Sequence, residues 1–233
     1  MIIIPARLAS TRFPNKILCD IGGMPMFVRS AINASQIDEV VLALDSKETC
    51  DIAARFGLKA VLTDPSIPNG SLRVLEASRM LGLKEHEPLI NLQADEPFLE
   101  SSVIQALKDS LEKADFMATC AKRIDWEAAK DPSVVKVVLN HKSEALYFSR
   151  APIPHKRDGA AQDNDFFLGH IGIYGYFKSS LEFLAAKAPA PLEELEKLEQ
   201  LRALHYKKPI TVSIVESQSI GIDTPEDLAK IKL

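Results

Sequence analysis

Short, almost purely apolar runs alternate with stretches that carry helix signals, and this alternation restricts the fold more than any other feature of the chain. Ile2–Pro5, EVVLAL, LKAVLT and PLINLQ are the runs. Between them lie GGMPMFVRSAINAS, with Pro25 near a helix start and Met26, Phe27, Ala31 and Ile32 on one face; SKETCDIAARFG, which Ser46 can cap and Gly57 can end; and SLRVLEASRMLG. A strand that is apolar at every position is buried on both faces. The pattern therefore predicts a mostly parallel sheet with helices on either side.

After Lys122 the texture changes. SVVKVVLN and EALYFSR are strands separated by a turn at Asn140–Ser143, which predicts a hairpin. IPHKRDGAAQDNDF reads as a long polar loop, either mobile or facing substrate. GHIGIYGYF is a further strand, EELEKLEQLRALH one helix with its leucines on one stripe, ITVSIVE a late strand and TPEDLAKIKL a closing helix. No repeat, low-complexity tract or linker interrupts the 233 residues. The expectation is a single domain over 1–233 with a β-rich insertion at about 133–176.

Hydrophobic residues make up 46% of the chain, enough for a sizeable core. A net charge of −4 argues against a nucleic-acid surface or an anionic membrane as the main partner. Cys19, Cys50 and Cys120 lie far apart with no zinc-ligand spacing, which fits a reducing cytoplasm. The opening apolar run is too short for a signal segment or a membrane span, and the expectation is a soluble cytoplasmic protein.

Against that acidic background the opening MIIIPARLASTRFPNK places Arg7, Arg12 and Lys16 just past the first strand, with Ser10 and Thr11 as hydroxyl donors. Ligands of open α/β sheets bind beyond strand carboxyl ends. Guanidinium groups clamp phosphate oxygens in pairs and lysine adds a point charge. A solvated basic loop is the other reading. The stretch holds no GxGxxG and no GxxxxGK[ST], which disfavours a dinucleotide enzyme or a P-loop ATPase. In LINLQADEP, Asp95 and Glu96 stand where another strand meets its loop, either as Mg²⁺ ligands or as a polar loop ended by Pro97. In GIDTPEDL, capping accounts for Thr224, Pro225 and Asp227 and leaves Asp223 over as a second carboxylate to share a metal with Asp95. In GHIGIYGYF, alternation puts Ile171, Ile173 and Phe177 on one face and His170, Tyr174 and Tyr176 on the other, with Gly172 leaving room beside His170. A packed structural histidine stays open as the alternative. Glu199 and Gln200 read equally as solvated helix residues.

IPARLASTRFPNK resembles the N-terminal signature of the sugar nucleotidyltransferases. LINLQADEP, VVKVVLN with ALYFSRAPIP, HIGIYGY, PLEELEKLEQLR and GIDTPEDL resemble the 3-deoxy-manno-octulosonate (Kdo) cytidylyltransferases, in the same order over nearly the whole chain. The resemblance implies a Rossmann-like, GT-A-like three-layer fold. It implies the reaction of CTP with Kdo to give CMP-Kdo and pyrophosphate for lipopolysaccharide assembly, with Mg²⁺ as cofactor and a homodimer whose contacts involve the insertion. It implies catalytic roles for Arg7, Arg12, Lys16, Asp95 and Asp223, with Asp95 and Asp223 as metal ligands. Nucleotide contacts would come from Ala6, Arg7, Ser10, Thr11, Arg12, Lys16, Asp45, Gly70, Ser71, Arg73, Gln93 and Asp95, and sugar contacts from Arg150, His170, Tyr174, Glu199 and Gln200. The chain departs from the pattern at Ala94 for a glycine, at NGSLR for SGTER (so Leu72 replaces an acid), and at Gly169 for an arginine. A cytidylyltransferase for a sialic or pseudaminic type of acid, or a non-catalytic nucleotide binder, are the competing readings. No residue is singled out as a general base.

Overall fold

The computed structural model describes residues 1–8, 13–159, 162, 165–219, 221–222, 224 and 227–228. The apolar runs form β1 (Ile2–Ala6), β2 (Val40–Leu44), β3 (Lys59–Leu62) and β4 (Pro88–Asn91). β1 pairs in parallel with β2 and β4, and β2 with β3. Every residue of β1 and β2 is buried, because successive side chains point to opposite faces and both faces are covered. Ile2 and Ile4 enter one apolar cluster with α1 (Met26–Ala34), α2 (Lys47–Arg55) and α4 (Ser101–Leu111). Ile3 enters the other with α3 (Gly70–Met80), α6 (Lys178–Ala185) and α8 (Leu201–His205). Helices thus cover the sheet on both sides, in the three layers that the alternation predicts.

Local signals act where they were read. Ser46 Oγ accepts from the Thr49 amide at 3.1 Å, and Gly57 ends α2 with φ +69°, a backbone state that glycine adopts without strain. Asn69 caps α3 by accepting from the Leu72 amide at 2.9 Å. Thr224 and Asp227 make the expected reciprocal cap, at 3.1 and 3.3 Å. The stretch between PLINLQ and Lys122, unassigned from sequence, forms α4 and most of β5 (Met117–Ile124). Among the described residues no helix is long and apolar enough to cross a membrane.

Past β4 the sheet changes direction. The strand order is β3-β2-β1-β4-β8-β5-β9. β8 (Phe167–Phe177) runs antiparallel between β4 and β5, and β9 (Ile210–Ile214) lies parallel to β5 at the edge. β6 (Lys136–Leu139) and β7 (Ala145–Ser149) form the predicted hairpin, and β6 bonds to β8. Against β4, the pairing of β8 runs only from Phe177 to Tyr174, which faces Asn91. The first half of β8 therefore continues past the carboxyl end of β4, over the edge where ligands of such sheets bind. Alternation on β8 also holds: Ile171 and Ile173 face the first cluster, Tyr174 and Tyr176 the second.

The single helix expected from EELEKLEQLRALH is corrected to two short ones. α7 (Pro191–Glu196) stops at Lys197, whose φ is +55°, and α8 begins at Leu201. The Leu198 amide closes the end of α7 on the Glu193 carbonyl at 3.3 Å. The leucine stripe misleads because its first member is not used: Leu198 and Leu201 are buried and Leu204 packs on the core, whereas Leu195 is exposed. The break turns Glu199 and Gln200 out of regular helix.

Gly169 has a packing reason. A Cβ there would lie 2.8 Å from Ile124 Cγ2, so a longer side chain requires Ile124 to move. Gly169→Ala should lower stability by about 1–3 kcal/mol, measured by denaturant melts, and Ile124→Ala in the same chain should recover part of the loss. Unchanged stability of the single variant would remove this packing account.

Candidate active site

The nucleotide half of the candidate site is built at the carboxyl ends of β1, β2 and β4. Ala6 closes β1 and is buried. Arg7 follows it, exposed, with Nη1 donating to the Pro68 carbonyl at 3.3 Å. Asp45, just past β2, accepts from the Leu8 amide with both oxygens, at 3.3 and 3.2 Å. It anchors the start of the basic loop. Ser10, Thr11 and Arg12 lie outside the described residues. At the far end of the loop, Asn15 takes a left-handed conformation (φ 55°) and Lys16 begins a 3₁₀ turn. Lys16 Nζ reaches Asp95 Oδ2 at 2.6 Å, so the loop cation meets the carboxylate of the β4 loop.

The α3 N-terminus closes the nucleotide side. Gly70 sits against β1: a Cβ there would meet Pro5 Cγ at 3.3 Å and Gln93 Oε1 at 3.7 Å. Gln93 Nε2 in turn donates to Asn91 Oδ1 at 3.3 Å. Arg73 is buried and its guanidinium braces residues 63–67, donating to Thr63 Oγ1 at 2.5 Å and to the Asp64 and Ile67 carbonyls at 3.3 Å each. Ser71 Oγ donates to Glu199 Oε2 at 2.7 Å. That bond joins the nucleotide half to the sugar half. Leu72, the departure from the acidic residue of the resembled motif, lines a crevice with Ser71, Tyr176, Glu199 and Gln200.

On the other half, His170 and Tyr174 share a face of β8 with ring centroids 5.4 Å apart, and Phe148 meets the His170 ring edge-on at 5.1 Å. A Cβ at Gly172 would touch nothing within 4 Å, which is the open space that the sequence pattern predicts beside His170. Enclosure by protein pushes the pKa of the His170 imidazolium down to about 3, and the ring is neutral at neutral pH. Burial likewise holds the Tyr174 phenol protonated. Tyr174 Oη donates to Gln200 Oε1 at 3.1 Å. The Gln200 Nε2 and Asn91 Nδ2 amides are buried without a hydrogen-bond partner among the described residues. Buried donors left unpaired are costly, so each is available to a ligand or to water. Arg150 is held at a distance from free motion: Nε donates to the Glu196 carbonyl at 2.8 Å and Nη1 to that of Pro132 at 2.9 Å.

Sequence reasoning missed the residues behind these. Glu196 accepts from Ser149 Oγ at 2.7 Å and from the Arg150 amide at 2.9 Å. Lys136 is fully buried, and its Nζ donates to the carbonyls of Asp131, Val134 and Arg150. A lysine inside SVVKVVLN was a signal, since a charge in an apolar run needs local partners.

For a divalent cation the donor chemistry fits. Asp95 is a half-buried oxygen donor, and its carbonyl accepts from the Ile222 amide at 3.0 Å. The chain segment that leads into Asp223 is thereby brought to Asp95, while Asp223 itself lies outside the described residues. No group of three or more His, Cys, Asp or Glu side chains gathers among the described residues. Mg²⁺ needs no such cage, because it binds one or two carboxylates and fills the rest of its shell with water and phosphate oxygens.

Comparison with known proteins places this geometry in context. A cytidylyltransferase family model matches residues 1–210. A 3-deoxy-manno-octulosonate cytidylyltransferase of Helicobacter pylori (strain P12) is 57% identical over 229 residues, covering 98% of this chain and 94% of the relative. One of Wolinella succinogenes is 49% identical over 234 residues, with 98% and 96% covered. Among solved structures, a CMP:2-keto-3-deoxy-manno-octonic acid synthetase complexed with CTP superposes with a TM-score of 0.88 at 35% identity, covering 98% of this chain and 95% of that one.

The neutral His170 has a consequence for stability. Its folded pKa lies below the unfolded value of about 6.5, so the unfolded chain binds the extra proton and stability is lost as pH falls below that value, by at most ~1.4 kcal/mol per pH unit. Stability attributable to this group is complete above the unfolded pKa. His170→Gln should flatten the acid limb of a stability–pH curve measured by denaturant melts; an unaltered limb would show that His170 is not buried in the neutral form.

Proposed function

The chain belongs to the cytidylyltransferase family, and from that premise we propose that it transfers CMP from CTP to 3-deoxy-D-manno-octulosonate, releasing pyrophosphate and forming CMP-Kdo. The observation that carries this reading is the 57% identity to a relative of that name along 98% of the chain, a span that includes both halves of the site. A joined site, with Lys16 on Asp95 and Ser71 on Glu199, supports this reading over a protein that only binds nucleotide.

In this mechanism the anomeric hydroxyl of Kdo attacks the α-phosphorus in line with the leaving pyrophosphate. The new bond is sugar oxygen to phosphorus, and the bond broken is that between the α-phosphorus and the bridging oxygen. Arg7, Arg12 and Lys16 offset the charge of the triphosphate, with Ala6, Ser10 and Thr11 lining the same loop. Gly70, Ser71 and Gln93 border the nucleotide, while Asp45 and Arg73 hold the loops that shape its site. Arg150 supplies the cation for the sugar carboxylate, since a guanidinium has five N–H groups and two carbonyl bonds leave donors over. His170, Tyr174, Glu199 and Gln200 orient the hydroxyls. Catalysis is then chiefly positioning and electrostatic stabilisation. Asp95 and Asp223 would hold Mg²⁺, which when bound polarises the α-phosphate and lowers the pKa of the attacking hydroxyl. In the same reading the enzyme works in the cytoplasm as a homodimer, and its product feeds lipopolysaccharide assembly. The segment at about 133–176 supplies sugar-site residues and dimer contacts; Leu146, 60% exposed on β7, supports that placement.

Pyrophosphate release measured with CTP, Mg²⁺ and a panel of sugar acids should show turnover with Kdo and little with sialic or pseudaminic acids. Asp95→Asn should abolish most turnover with the fold intact, and near-normal rates at limiting Mg²⁺ would remove the metal assignment. Lys16→Ala should raise the KM for CTP by about 10- to 100-fold and that for Kdo far less. Equal effects on both substrates would leave the basic loop without its proposed role.

A further inference from the structure

Thr119 is a polar residue in the buried strand β5, fully enclosed, and its hydroxyl stands among three neighbours. Oγ1 lies 2.7 Å from the Ile173 carbonyl oxygen, 3.3 Å from that of Ile171 and 2.9 Å from His170 Nε2. β5 and β8 slip register beside it, between Thr119 and Cys120, and this slip turns both β8 carbonyls toward the same hydroxyl. A hydroxyl has one hydrogen to give. Carbonyl oxygens cannot donate, so the 2.7 Å contact with Ile173 is a hydrogen bond only if Thr119 donates there. Its lone pair then remains for His170, which must be the donor through Nε2–H. In a neutral imidazole one nitrogen carries the hydrogen and the other accepts, and the partner of the first decides which.

We infer that Thr119 is a positioning residue of the sugar site: it fixes His170 as the Nε2–H tautomer and presents Nδ1 as an acceptor for a hydroxyl of the sugar acid. The inference rests on the proposed reading that His170 faces Kdo. Among the described residues His170 Nδ1 has no hydrogen-bond partner, and it is not one of the sealed orphan atoms, which belong to Asn91 and Gln200. Tyr174 and Phe148, the rings packed on His170, hold it in plane without competing for Nδ1. Burial keeps the ring uncharged. His170 then discriminates among hydroxyls by hydrogen-bond direction, and the sugar carboxylate is left to Arg150.

The test combines ¹⁵N NMR of the histidine ring with substrate kinetics on the intact enzyme. The wild-type spectrum should show His170 protonated at Nε2 and bare at Nδ1. Thr119→Val should shift the ring toward the other tautomer and raise the KM for Kdo roughly three- to tenfold, with the KM for CTP unchanged; Thr119→Ser should restore both. A wild-type ring protonated at Nδ1 overturns the inference, even if Thr119→Val fails to fold. So does an unchanged tautomer in Thr119→Val. A shifted tautomer with an unchanged KM for Kdo overturns the positioning role by showing that His170 does not meet the sugar. Absence of any turnover with Kdo in the wild type instead strikes the functional reading, while the spectrum still judges the tautomer.

Discussion

The antiparallel run of β8 beside β4 is the constraint on which the site depends. β8 has 11 residues and β4 has 4, and their pairing ends with Tyr174 opposite Asn91. Because β8 travels against β4, the surplus residues project past the carboxyl end of the parallel strands. A parallel strand in that slot would carry its surplus N-terminal residues toward the opposite edge. The projecting half bears His170, whose amide is fixed to the Val135 carbonyl at 2.7 Å. β5 supports it from the other side, and the Thr119 hydroxyl, beside the register slip, meets the imidazole.

Charge is organised around that geometry. The chain is acidic overall, yet the opening loop concentrates its cations at the ligand edge. Lys16 and Asp95 have side chains only 12% and 27% exposed and meet at 2.6 Å. Each would be costly to bury alone. In the proposed reading a triphosphate with a divalent ion would take both, the phosphates the ammonium and the metal the carboxylate. Deeper in, Arg73 and Lys136 are cations bonded to carbonyl and hydroxyl oxygens, and these bonds brace the loops around them. The Arg202–Glu193 pair does the same for the α7–α8 break, and with it for the placement of Glu199 and Gln200.

The departures from the resembled motifs also become physical. Gly169 leaves no room for a side chain because Ile124 packs on it. In NGSLR, Asn69 caps α3 and Ser71 still reaches across to Glu199, while Leu72 faces the crevice wall.

By itself the sequence determined the parallel half of the sheet, the helices α1 to α3, the β6–β7 hairpin and the two faces of β8. These follow from periodicity and capping, which are local: IIIP is buried on both sides wherever it lies, and Ser46 caps whatever helix follows it. The residue types of the site were legible for the same reason, since Arg7 and Lys16 lie in the loop after β1 and Asp95 in the loop after β4. Only the tertiary structure decided that Lys16 meets Asp95, that Ser71 bridges to Glu199 and that Arg73 is turned inward, because those pairs are separated in sequence and joined by strand order. It also decided the break at Lys197, where a helical leucine pattern is interrupted and Leu195 is left exposed. Thr119 was illegible from sequence because its role depends on a slip between two strands some 50 residues apart, and hydrogen-bond direction at a single hydroxyl is fixed only when all its neighbours are in place.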